Sequence, residues 1–234
     1  MKKLLLGIAA VCLAGFTFAQ DAPLWMRHSV ISPDGTTIAF TYKGDIYTVP
    51  VAGGRAMQIT TNPAYDTAPV WSPDSKRIAF ASDRMGSLDV YIVAKDGGEP
   101  RRLTTHSGSE TPLAFTDAGH VLFSAGIMPS AEAVVFPSNG QFNQVYRVSV
   151  EGGRPTMISS MPMECISINK EGAMLYQDKK GYEDYWRKHH VSPIARDIWM
   201  YTPGKEPQYR QLTTFGGEDR EPVWAPDGKT FYYL

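Results

Sequence analysis

The densest chemistry in this chain sits in one stretch, Asp178 to Arg196, reading DKKGYEDYWRKHHVSPIAR. Tyr182, Glu183, Asp184, Tyr185, Trp186, Arg187, Lys188, His189 and His190 follow one another there. Aromatic and arginine side chains anchor protein and peptide partners, so these nine residues are the candidate binding surface. The competing use of such a stretch is a surface loop whose Tyr and Trp pack down while its charges stay in water. His189 and His190 are metal-ligand types, but adjacent residues do not converge on one ion without further ligands. No metal site is expected.

Carboxylates recur at two other kinds of position. Asp34, Asp74, Asp117 and Asp227 each fall in a turn sequence such as Ser-Pro-Asp-Gly, where an aspartate bonds its own backbone. Asp66, Glu110, Glu164, Asp219 and Glu221 precede an apolar strand. They could ring the mouth of a channel, but bonding to loop backbone is the stronger expectation. The chain has no G-x-S-x-G, S-x-x-K, H-E-x-x-H or P-loop sequence, and its five histidines are scattered. No catalytic residue is assigned, and no cofactor is expected.

The elements that position these residues are read from an internal repeat. VWSPDSKRIAFASD from Val70 recurs as VISPDGTTIAFTY from Val30 and VWAPDGKTFYYL from Val223. Weaker copies begin at Leu113 (LAFTDAGHVLFSA) and Ile166 (ISINKEGAMLYQD). These anchors are spaced 40, 43, 53 and 57 residues apart, the period of a propeller blade with insertions in the later units. Pro33 and Asp34, or Pro73 and Asp74, set a tight turn into a strand such as Ile78-Ala79-Phe80. Ile and Phe share one face and the small Ala the other, so the strand is expected to be buried on both.

Each unit continues with a third strand (Asp45 to Val49, Asp89 to Val93, Gln144 to Val148, Asp197 to Tyr201). Gly53-Gly54, Gly97-Gly98 and Gly152-Gly153 follow three of these strands, where hairpin turns need positive φ. Gly204-Lys205 takes that place in the fourth unit. The Leu-Thr-Thr-like pieces at Gln58 to Thr61, Arg101 to Thr104, Ile158 to Ser160 and Leu212 to Thr214 read as short outer strands. The fold class is therefore all-β: a propeller of four-stranded blades, four complete and a fifth begun. The expected blades are about 24–65, 66–108, 109–161, 162–218 and 219–234, an incomplete ring that implies a fragment of a longer protein. Strand order puts the Pro-Asp and Gly-Gly turns at one end of the blades. Both large insertions, Gly126 to Asn143 and Asp178 to Arg196, fall at the other end, the expected working face.

Residues 1–19 stand outside the repeat. Lys2 and Lys3 lead an apolar run to Phe18, and Thr17-Phe18-Ala19 is a small-residue cleavage site, so a secretory leader is expected. The run is short for a membrane span. Cys12 follows Val11 rather than Gly or Ala, which argues against a lipoprotein signal. Export to the periplasm or outside the cell follows, with no membrane attachment after cleavage. The remaining Cys165 has no partner for a disulfide and is expected to be a small buried apolar residue. Net charge is −1 with both signs mixed along the chain, so nucleic acid is not an expected partner.

The repeat PVWSPDSKRIAFASDR, with DVYIV and GGEPRRLT after it, resembles the WD40-like repeat of TolB-type propellers. QVYRVSVEGGRPTMIS, QDKKGYEDYWRKHHVSPIARDIWMY and RQLTTFGGEDREPVW look like the N-terminal propeller of bacterial tricorn-protease homologues, exported serine peptidases of the S41 class. The resemblance implies a parent that hydrolyses peptides, with the propeller docking or gating substrate ahead of PDZ and catalytic domains. None of that family's catalytic positions falls in these residues. Two alternatives remain: a periplasmic TolB-like protein-binding propeller, and the propeller of a prolyl-oligopeptidase-like enzyme. Partners are accordingly peptide or protein, with homo-oligomer formation left open.

Overall fold

A computed structural model describes residues 25–126, 143–179 and 194–234. The leader at 1–19 and the binding stretch Tyr182 to His190 lie outside the described residues, as does most of the insertion after Gly126.

Every regular element among the described residues is a strand. β1 (Arg27–Ile31), β2 (Thr37–Tyr42), β3 (Asp45–Pro50) and β4 (Met57–Gln58) form one four-stranded sheet in chain order. β5 (Asp66–Trp71), β6 (Arg77–Ser82), β7 (Asp89–Ala94) and β8 (Arg101–Arg102) form the second. β9 (Glu110–Asp117), β10 (His120–Ala125), β11 (Gln144–Ser149) and β12 (Thr156–Ser159) form the third. β13 (Met163–Ile168), β14 (Met174–Asp178), β15 (Ile198–Thr202) and β16 (Gln208–Gln211) form the fourth. β17 (Val223–Trp224) and β18 (Phe231–Tyr232) begin another. All pairings are antiparallel between consecutive strands, the meander of propeller blades.

The turns follow from local chemistry. Asp74 Oδ1 accepts from the Ser72 hydroxyl at 2.6 Å and from Lys76 N at 3.2 Å, and Ser72 Oγ accepts from Arg77 N at 2.9 Å. Asp34 repeats the pattern with Ser32, and Asp227 keeps its backbone part, accepting from Lys229 N and Thr230 N with Ala225 in the serine's place. The turn glycines Gly97 and Gly98 sit at φ +91° and +114°, where a side chain would be strained.

Stacking of sheets makes the core, as three apolar layers each shared by two neighbours. Ile78, Phe80, Tyr91 and Trp71 of the second sheet meet Ala39, Ile46 and Ile59 of the first. Ala79, Val90, Ile92 and Leu103 on its other face meet Phe115, Val121, Phe123 and Tyr146 of the third. Leu122 and Val145 then meet Met163, Met174, Tyr176 and Tyr201. The split of Ile78 and Phe80 from Ala79 is the two-faced burial expected of the IAF run.

Two details differ from the sequence expectation. The Leu-Thr-Thr pieces mostly lie beyond the outer strands. Ile59 N, Leu103 N and Leu212 N each donate one bond back to the third strand, at 2.8 Å, after the ladder has ended. Burial of Ile59 and Leu103 between sheets pulls those residues out of the edge. The weaker repeat anchors are also one residue early in chain register. Pairing with the second strand puts Ala114 and Ser167, not Leu113 and Ile166, opposite Leu122 and Leu175, the places matched by Val70 opposite Ala79. The inner-strand bulge is common to the first four sheets; what differs is the turn, since Phe115 and Val121, or Ile168 and Met174, pair six positions apart where Trp71 and Ile78 pair seven apart.

Candidate functional site

The inner strands β1, β5, β9, β13 and β17 line an open cavity of about 710 Å³. Val30, Val70, Trp71, Phe115, Ile168 and Trp224 are among the residues that give it an apolar and aromatic wall. Pro33, Pro73, Ala118 and Lys170 also line it, which places it toward the short-turn end of the sheets. The Trp71 indole N–H donates to Val30 O, and the Trp224 indole N–H to Ala173 O, each at 3.2 Å. Both tryptophans are thus held at the channel by the backbone of the preceding sheet.

The insertions leave from the opposite end. Ala125 pairs with Gln144 at the neck of one, and Gln177 with Ile198 at the neck of the other. Asp197 N donates to Asp178 Oδ1 at 2.8 Å, closing the second neck. Beside it, Glu164 lies 3.2 Å from Lys179 Nζ and 3.5 Å from Arg196 Nε, while Arg196 Nη1 meets Glu218 Oε1 at 2.6 Å. Lys179 and Arg196, the described residues nearest the stretch in sequence, belong to this charged collar.

The carboxylates preceding the inner strands take neither expected role in full. Asp66 and Glu110 are fully buried and Asp219 nearly so, so they do not open onto a channel mouth. Asp66 is tied by a side chain instead of by loop backbone: Arg84 Nη2 lies 2.8 Å from its Oδ2. The Arg84 guanidinium in turn covers the Phe80 and Tyr91 rings at 5.5 and 5.1 Å.

A backbone bond brings each of these residues beside an acid of the preceding sheet. Asp66 N donates to Gly44 O, Glu110 N to Leu88 O and Asp219 N to Arg196 O. These acceptors immediately precede Asp45, Asp89 and Asp197, the first residues of the third-strand repeats. The seams between successive sheets therefore carry the pairs Asp45 with Asp66, Asp89 with Glu110 and Asp197 with Asp219. At the seam between the third and fourth sheets the same places hold Gln144 and Met163, by register with Asp89 and Asp66. A signal for the pairs was present in the sequence: an acid opening the third strand is followed 21 or 22 residues later by another.

A threonine completes each pair's surroundings. Thr60 Oγ1 accepts from Ile46 N at 3.0 Å and donates to Asp45 Oδ1 at 3.2 Å. Thr104 and Thr213 hold Val90 N and Ile198 N in the same way, each at 2.9 Å. Burial raises the Asp45 and Asp89 carboxyls above their ordinary range, and pushes Glu110 up to about 7.

Cys165 departs from expectation: it is exposed rather than buried, at φ +51° in a bulge of β13. Desolvation of the sulfur, then the Glu221 and Glu164 carboxylates, push its thiol up to about 11. Little thiolate forms at neutral pH. Among the described residues no group of His, Cys, Asp and Glu is arranged to hold a metal ion. No helix among them is long and apolar enough to cross a membrane.

Residues 23–234 match the family model described as the tricorn protease N-terminal beta propeller domain. Tricorn protease homolog 1 of Streptomyces coelicolor is 24% identical over 90% of this chain and 19% of that protein. The uncharacterized peptidase YuxL of Bacillus subtilis is 30% identical over 98% of this chain and 31% of that protein. The chain thus spans about a fifth to a third of these relatives. Among solved structures, a putative TolB from Agrobacterium tumefaciens superposes with TM-score 0.69 at 17% identity, over 91% of this chain and 70% of that one. The tricorn protease superposes at TM-score 0.66 and 17% identity, over 91% of this chain and 22% of that one. At these identities the superpositions establish the propeller fold.

Proposed function

Since the chain belongs to the family of tricorn protease N-terminal β-propellers, we propose that it is the propeller part of an exported tricorn-like serine peptidase. In this role it docks and gates peptide substrate for PDZ and catalytic domains elsewhere in the same parent chain. The observation that carries the reading is the extent of the match, residues 23–234, set against the 19% of the tricorn homologue that the chain spans. The leader at 1–19 sends the parent to the periplasm or beyond. Tyr182 to His190 supply the peptide contacts, with Trp186 and Arg187 as anchors. The apolar channel wall, with Trp71 and Trp224 fixed by backbone bonds, suits an extended peptide with apolar side chains.

The test is peptide capture by the full-length parent carrying Trp186→Ala and Arg187→Ala. Docking through this stretch predicts capture weakened about tenfold or more, the scale of losing interface anchors. Unchanged capture removes the stretch from the site. A second reading, a TolB-like protein-binding propeller, draws on the 70% coverage of the TolB chain. Peptide hydrolysis by the parent, abolished by a serine-peptidase inhibitor, favours the first reading. Stable capture of a folded protein without turnover favours the second.

A further inference from the structure

The seam between the second and third sheets differs from its neighbours in charge balance. Glu110 opens β9 and is fully buried; Asp89 opens β7 and is fully buried beside it. One cation serves both, Arg102 of β8, whose Nη2 lies 2.9 Å from Asp89 Oδ2. Neither Glu110 oxygen meets a donor in good hydrogen-bond geometry, and the adjacent polar groups are the Thr104 hydroxyl and the Asp89 carboxyl. His106, on the exposed segment after β8, acts on Asp89 from outside. On the far side, Tyr91 faces both this cluster and the Asp66–Arg84 pair of the preceding seam. β10 contributes no charge, since Glu110 pairs with Ala125 there.

Two adjacent carboxyls out of water cannot both ionise beside a single guanidinium. One negative charge on Asp89 matches Arg102, and a proton kept on Glu110 turns it into a donor toward that carboxylate. The neighbouring seams resolve the same geometry differently. Asp66 has its own Arg84, and its partner Asp45 is partly exposed and accepts from Thr60 and from Gln58 Nε2. The next seam holds Gln144 and Met163, with no carboxyl pair at all.

We propose that Asp89 and Glu110 share one proton and act as a pH-operated clasp between the second and third sheets, closed when the proton is held and loosened when it leaves to solvent. The sign follows from proton counting. A carboxyl that binds its proton more tightly folded than unfolded stabilises the clasp fully below its unfolded pKa, near 4.5. That contribution fades as pH rises, and is lost once pH passes the folded value, about 7. The clasp sits at the neck of the insertion that follows Ala125, so its loosening frees the insertion end of the seam and leaves the short turns in place.

The experiment is amide hydrogen exchange on the full-length chain at pH 5.5 and 8.0, corrected for intrinsic rates. Protection at Glu110 N, bonded to Leu88 O, and Val90 N, bonded to Thr104, is expected to fall about tenfold or more at the higher pH. Asp66 N and Asp219 N, the matching amides of other seams, are the controls. Glu110→Gln, neutral and still a donor, is expected to abolish the difference while keeping protection. A pH-independent wild type, or a Glu110→Gln variant with the same response, overturns the clasp. Should that variant fail to fold, the side-chain carboxyl carbon of Glu110 in labelled wild-type protein decides. Titration near 7 supports the shared proton, and titration below 5 overturns it.

Discussion

At one end of the sheets the Asp34 carboxylate accepts from the Ser32 hydroxyl, the Thr36 N–H and the Thr36 hydroxyl, and is driven down to about 2. At the other end Glu110 lies in a buried seam and is driven up to about 7. Asp74 and Asp227 repeat the first behaviour, and Asp89 and Asp45 the second. The same functional group is pushed in opposite directions across a single strand, because donors surround it in the turns and apolar layers surround it in the seams. The short-turn end is consequently a fixed scaffold. Protonation, insertion necks and charged collars are gathered at the other end.

The contrast is tested hardest at Arg84. Its side chain is 11% exposed and that of Asp66 is fully buried, so Arg84→Ala strands a carboxylate in the seam. Breaking a buried pair from one side costs about 3–5 kcal/mol. Denaturant unfolding of the full-length chain should show a loss of that order, partly recovered by adding Asp66→Asn. A loss under about 1 kcal/mol would mean that the insertion end is wetter than its burial indicates, and the two ends would cease to differ in kind.

The repeat, the all-β class and the two-faced strands were legible because each is carried by local pattern. Ser-Pro-Asp turns, Gly-Gly pairs and the IAF run act within a few residues of themselves. The seam pairs were not legible in the same way. Asp45 and Asp66, or Asp89 and Glu110, lie on different sheets, and only sheet stacking brings them together. Their acids were visible one at a time, which suggested loop bonding for Asp66 and Glu110. The one-residue displacement at Leu113 and Ile166 comes from a turn one residue shorter in the third and fourth sheets, which leaves the apolar pattern unaltered. Cys165 turns outward because it holds a left-handed bulge position, as His28 and Ala68 do in the first two sheets, and no local apolar pattern announces that conformation.

A smaller effect is expected in the turns themselves. Ser72 is fully buried, donates to Asp74 and accepts from Arg77 N. Ser72→Ala leaves that N–H without its partner and should cost about 1–3 kcal/mol. The Ser72 bond is also the leading cause of the lowered Asp74 carboxyl. A depressed carboxyl contributes stability above its unfolded pKa, near 3.8, and loses it as pH falls through the folded value. The deficit of the variant should therefore be constant from pH 5 upward and shrink below about pH 4. Glu110→Gln should act in the separate window from about 4.5 to 7. Melting curves across both windows separate the two ends, and coincident windows would merge them.

The smallest effect is expected at Ser75, where two terms oppose each other. Gly35 and Gly228 hold the corresponding turn positions at φ +70° and +66°, while Ser75 adopts φ +57° with a side chain present. A left-handed non-glycine residue costs about 1 kcal/mol or more, so Ser75→Gly relieves strain. Against that, the Ser75 hydroxyl accepts from Asp34 N at 3.1 Å and joins the first turn to the second. Such a bond contributes about 0.5–1.5 kcal/mol, so the two changes nearly cancel and Ser75→Gly should move stability by under about 1 kcal/mol. Ser75→Ala keeps the strain and loses the bond, so it should be the more damaging of the two. If instead alanine is tolerated and glycine is not, the link between neighbouring turns contributes nothing and the rigidity of the short-turn end rests on the Ser-Asp turns alone.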